Sequence, residues 1–120
     1  MQIQKVEKNG GVCGLVESDS LVITDPQSAL DLLMTVQYEV GSKNIVIGKE
    51  LIAPEFFVLS TGLAGEILQK YVNYGAKLGI WGDFSGYTSK PLRDFFYEIN
   101  KGKQVCFVGS AEEAVDRLVS

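Results

Sequence analysis

Two rhythms of apolar residues alternate along this chain, one suited to strands and one to helices. The segments Gln2 to Glu7 and Val12 to Glu17 flank Asn9-Gly10-Gly11, which predicts a β-hairpin whose glycines supply positive φ. Asp25-Pro26 then offers a helix cap followed by proline at the first helical position, and Ala29, Leu33, Val36 and Val40 recur at helical spacing until Gly41. Ile45-Val46-Ile47, closed by Gly48, is β-branched and apolar on both faces, as a buried strand is. Leu63, Ala64, Ile67, Leu68, Tyr71 and Val72 form one stripe of a second helix, with Glu66, Gln69, Lys70 and Asn73 opposite. Leu78 to Trp81 and Val105 to Val108 repeat the buried-strand signature, and Leu92, Phe95, Phe96 and Ile99 mark a helix between them. Ser110 to Glu113 has the spacing of a capping box before a last helix that turns Ala111, Ala114, Val115 and Leu118 inward.

The predicted order is β-β-α-β-α-β-α-β-α: an α/β fold with a mostly parallel five-stranded sheet and an N-terminal antiparallel hairpin. Right-handed crossovers make it one layered domain over residues 1–120.

Composition narrows the function classes. A chain of 120 residues buries a core without staples, and 46% hydrophobic with 22% charged residues is an ordinary globular balance. No apolar run approaches the roughly 20 residues of a membrane span. The opening Met-Gln-Ile-Gln-Lys reads directly as a strand rather than a signal segment, so a cytoplasmic location is expected, with no membrane partner. The absence of histidine excludes Ser-His-Asp and Cys-His nucleophile systems and histidine-based metal centres. A net charge of −4 without a Lys/Arg cluster argues against a nucleic-acid partner. Cys13 and Cys106 lie far apart in apolar stretches and are expected to be reduced core residues. No catalytic residue, metal or cofactor is nominated. Glu50, Glu55, Asp83 and Glu98 are the only carboxylates expected near one another for acid-base chemistry.

In an open α/β sheet, ligands meet the carboxyl ends of the strands, and Gly48, Gly82 and Gly109 stand at three of those ends. The richest loop follows Gly82. Asp83, Ser85, Thr88 and Ser89, with Lys90 and Arg93 close by, offer hydroxyls and amides at a helix start to a phosphate or carboxylate. Thr88 or Ser89 also serves as a plain helix cap, and neither a Walker sequence nor a dinucleotide fingerprint occurs. Phe56, Phe57, Phe84 and Tyr87 either close the top of the core or line a pocket or dimer contact.

The element order and the segment Leu59-Ser60-Thr61-Gly62-Leu63-Ala64 resemble the STAS domain, the fold of bacterial anti-sigma factor antagonists and of sulfate-transporter tails. That class carries a segment like Asp-Ser-Ser-Gly-Leu-Gly there, so the resemblance implies a phospho-acceptor at Thr61, or else Ser60. Tyr74 to Gly82 and the helix from Ser110 to Leu118 also look like the class. Leu59 departs from it by replacing the aspartate, and the connection from Lys49 to Val58 is longer than usual. Thr61 to Leu68, Gly82 to Ser85 and Tyr87-Thr88-Ser89 resemble more closely a family of short bacterial proteins catalogued as domain of unknown function "forty-one eighty", which implies no activity.

Two readings follow. The first is a non-catalytic, STAS-like regulatory module that binds a protein partner and is switched by phosphate at Thr61, against the plainer role of Thr61 as a helix N-cap. The second is a protein or minor enzyme that binds a small anion or nucleotide through the loop from Asp83 to Arg93. It predicts a partly apolar pocket between that loop and Phe56-Phe57, with Asp83 or Glu98 shifted in pKa. A homodimer through the aromatic loops or the first-strand edge stays open.

Overall fold

The computed structural model describes residues Met1–Ser120. Strands β1 (Gln2–Lys8) and β2 (Gly11–Glu17) form the antiparallel hairpin. Helix α1 (Pro26–Val40), β3 (Asn44–Gly48), α2 (Leu63–Asn73), β4 (Lys77–Trp81), α3 (Lys90–Asn100), β5 (Val105–Val108) and α4 (Ala111–Val119) follow in the predicted order. The five strands lie side by side in chain order, with β2 through β5 parallel.

That consecutive order decides where the helices sit. Each crossover steps the same way along the sheet, so right-handed connections place α1, α2 and α3 on one face. The main core fills that face: Val16, Ile45, Ile47, Leu78, Ile80 and Phe107 meet buried residues of the three helices. The alternate strand residues Cys13, Val46, Cys106 and Val108 meet α4 alone, through Ala114, Val115 and Leu118. Helix α4 reaches the sheet closely because Gly79 has no side chain: a Cβ there would lie 2.9 Å from the Cβ of Ala114. Both cysteines are free and buried, as expected. They stand on β2 and β5 with two strands between them, too far apart for a disulfide.

The local signals hold with several corrections. The hairpin turn takes its positive φ from Asn9 (53°) and Gly10 (80°), while Gly11 already belongs to β2. Asp25 caps α1 and shares a full capping box with Ser28, whose hydroxyl accepts the Asp25 amide. At α4 only half of the expected box forms: Ser110 Oγ accepts from the Glu113 amide. Val72, assigned to the inner stripe of α2, is 42% exposed because the stripe narrows toward the helix end. The connection from Lys49 to Thr61 coils into three 3₁₀ turns rather than an open loop. Backbone bonds tie it to the chain before α1: the amides of Val22 and Ile23 donate to the Leu51 carbonyl, and Ala53 donates to Ile23. No helix is long and apolar enough to cross a membrane.

Candidate functional site

Two concavities flank the loops at the carboxyl ends of the strands, and the residues singled out from the sequence divide between them. The first is a groove of about 730 Å³ between the 3₁₀ turns and the loop into α3. Phe57, Val58, Leu59 and Ser60 form one wall, and Tyr87, Thr88 and Ser89 belong to the other. This is where the sequence placed a partly apolar pocket. Phe56 and Phe57 are themselves buried, and Phe57 stacks on Tyr87 with ring centroids 5.2 Å apart. Phe84 packs edge-on against Phe96 and Phe107. The four aromatics therefore close the end of the core, and the outer edges of Phe57 and Tyr87 also line the groove.

Thr61 and Ser60 differ sharply in this setting. The N-cap of α2 is Gly62, at φ 76° in the left-handed region, and not Thr61. A threonine cap would need extended backbone at the residue that enters the helix, and the chain arrives there from a 3₁₀ turn instead. The Thr61 hydroxyl still serves the turn: Oγ1 lies 2.8 Å from the carbonyls of Glu55 and Val58 and accepts the Leu63 amide at 3.2 Å. Ser60 is exposed, and its hydroxyl makes no hydrogen bond within the chain. Its neighbours Val58 and Leu59 are 51% and 36% exposed.

The second concavity, of about 410 Å³, opens at the ends of β2, β3 and β4. Glycine shapes it. Gly82 leaves β4 at φ 156°, and a Cβ on it would lie 2.6 Å from Lys49 Cγ, so the lysine stem crosses the backbone there. Gly48, paired with Trp81 across the sheet, makes room for the indole: a Cβ would meet Cζ2 at 3.2 Å. The Trp81 Nε1–H is buried without an acceptor, which costs about 1–3 kcal/mol relative to a satisfied donor. Glu17, Glu50 and Asp83 bring carboxylates to the same space. Ser85, through hydroxyl and amide, and then Lys49 hold the Asp83 carboxyl below the usual range. The Asp83 shift is downward and comes from hydrogen bonding, the opposite of the upward shift by burial that acid-base chemistry at neutral pH would use.

The proposed anion loop is thus dispersed. Gly82 and Asp83 face the second concavity, Thr88 and Ser89 the groove, and Ser85 and Arg93 line neither. Ser89 caps α3 by accepting the Leu92 amide, and Lys90 pairs with Asp94 at 2.7 Å. Of the four carboxylates expected together, only those of Glu50 and Asp83 belong to residues lining one concavity; Glu98 pairs with Lys101. Lys49, Trp81, Glu17 and Ser18 were not singled out from the sequence as site residues. A lone tryptophan next to Gly82 was the one visible signal, and its pairing with Gly48 depends on sheet register.

No curated protein and no solved structure matches the chain. Residues 8–118 match the family described as "Domain of unknown function (DUF4180)". The match runs from the last residue of β1 to the last turn of α4, covering four of the five strands whole and all four helices, and on that ground the chain belongs to this family.

Proposed function

We propose that this protein is a non-catalytic, STAS-like regulatory module whose groove at Val58, Leu59 and Ser60 receives an apolar side chain of a partner protein. One observation carries the reading: two neighbouring aliphatic side chains stay exposed beside a free hydroxyl at the mouth of a groove. Exposed apolar surface beside a concavity is characteristic of interaction sites. A phosphate on Ser60 would bring roughly two negative charges onto that surface and expel an apolar partner. Ser60 suits the switch better than Thr61, because phosphate on Thr61 would remove the hydroxyl proton that the Glu55 and Val58 carbonyls receive. Two free buried thiols agree with a reducing compartment, and so with a cytoplasmic setting.

The test begins with protein purified from its native source. Peptide mapping is expected to find phosphate on Ser60 in a fraction of the molecules. A partner captured by the unmodified chain should be lost with Val58→Asp, Leu59→Asp and Ser60→Glu and kept with Ser60→Ala. An unmodified Ser60 under all growth conditions, together with unchanged capture by the Val58→Asp and Ser60→Glu variants, would overturn the reading.

A further inference from the structure

We propose that the concavity at the ends of β2, β3 and β4 is a binding site for a small organic cation: an ammonium compound with a compact apolar body. The site shares no lining residue with the groove around Ser60, so it stands independently of the regulatory reading. Its volume of about 410 Å³ lies within the range of small-ligand pockets.

The charge balance selects the ligand. Three carboxylates, those of Glu17, Glu50 and Asp83, line the space, and Lys49 is its only cationic residue. The Lys49 ammonium is already engaged. It lies 4.9 Å from the Tyr87 ring centroid, 5.8 Å from that of Phe84 and 3.9 Å from the Glu50 carboxylate. Its aliphatic stem, laid over Gly82, contributes apolar wall. An entering anion therefore finds the one cation already engaged, whereas a cation finds the unpaired Glu17 carboxylate beside those of Glu50, shared with Lys49, and Asp83, held by Ser85.

Trp81 supplies the second, independent element. Indole is the strongest cation–π partner among the side chains, and this one borders the space with its ring laid over Gly48. Val16 and Leu51 complete the apolar lining. The Nε1–H is closed off from the space as well as from any acceptor in the chain, so the indole offers a ligand its ring alone. The placement follows from the fold. Helix α4 covers the sheet at Gly79 but does not reach beyond Trp81, so the ends of β2 and β3 on that face are left to the indole.

Trp81 is the chain's single tryptophan, so intrinsic fluorescence reports this site alone. The experiment titrates the full chain with choline chloride, with its uncharged isostere 3,3-dimethylbutan-1-ol, and with sodium phosphate. Choline is expected to give a saturable change, and the neutral alcohol to bind weaker by on the order of tenfold, the difference a cation–π contact beside carboxylates supplies. The double variant Glu50→Gln, Asp83→Asn alters two exposed side chains and should weaken choline by a similar factor without changing the alcohol. No saturation with choline, equal affinity for the alcohol, or tighter binding of phosphate would each overturn the proposal.

Discussion

The carboxamide of Asn100 grips the backbone of Phe107 from both ends: Oδ1 accepts the Phe107 amide at 2.7 Å, and Nδ2 donates to the Phe107 carbonyl at 3.0 Å. Strand β5 is the last of the sheet, so the side chain occupies the place of a sixth strand. Arg117 of α4 fixes the grip by donating to the Asn100 carbonyl at 2.7 Å. Asn100→Ala removes both bonds and uncovers the edge. It should lower stability by about 1–3 kcal/mol in urea unfolding and raise self-association in light scattering. A variant as stable and monodisperse as the parent would show that water replaces the amide at no cost.

The close approach of α4 gives a second prediction. Gly79→Ala places a methyl group 2.9 Å from Ala114 Cβ, where backbone on both sides holds the contact. Overpacking of this kind should cost about 1–3 kcal/mol, read as a lower urea midpoint, and Ala114→Gly in the same chain should recover part of it.

Ser60 and Thr61 should part in stability as they do in geometry. Thr61→Val removes a hydroxyl that bridges Glu55, Val58 and Leu63 and should cost about 1 kcal/mol. Ser60→Ala, at an exposed hydroxyl without partners, should fall within about 0.5 kcal/mol of the parent. Thermal unfolding of the two variants side by side decides it.

The buried thiols predict alkaline sensitivity. Burial pushes the Cys13 thiol from its usual 9.0 up to about 11, and it raises Cys106 and the Tyr71 phenol as well. Below pH 9 both folded and unfolded chains keep the Cys13 proton. As pH climbs toward about 11 only the folded chain keeps it, so the unfolded state gains a charged form and stability falls. Cys13→Ala should flatten that fall in denaturant titrations between these limits, while leaving the neutral-pH slope unchanged.

Local signals were enough for the elements because each is set by a few neighbouring residues. Asp25-Pro26 starts α1 and Gly41 ends it, and Ile45 to Ile47 or Val105 to Val108 leave no polar face for a surface position. The segment between β3 and α2 was less legible. Its 3₁₀ turns depend on backbone bonds to Val22 and Ile23, about thirty residues earlier, and on Phe56 and Phe57 finding the aromatic end of the core.

The sequence by itself determined the element order, the capping of α1 and α3, the burial of both cysteines and the absence of histidine chemistry. These depend on residue type and short-range periodicity, which the chain states directly. Tertiary structure alone decided that Trp81 lies over Gly48, that Lys49 crosses Gly82, and that Ser60 rather than Thr61 keeps a free hydroxyl. The first two are contacts between segments far apart in sequence, fixed by sheet register, and the third depends on which backbone groups the 3₁₀ turns leave unpaired; no local pattern encodes either.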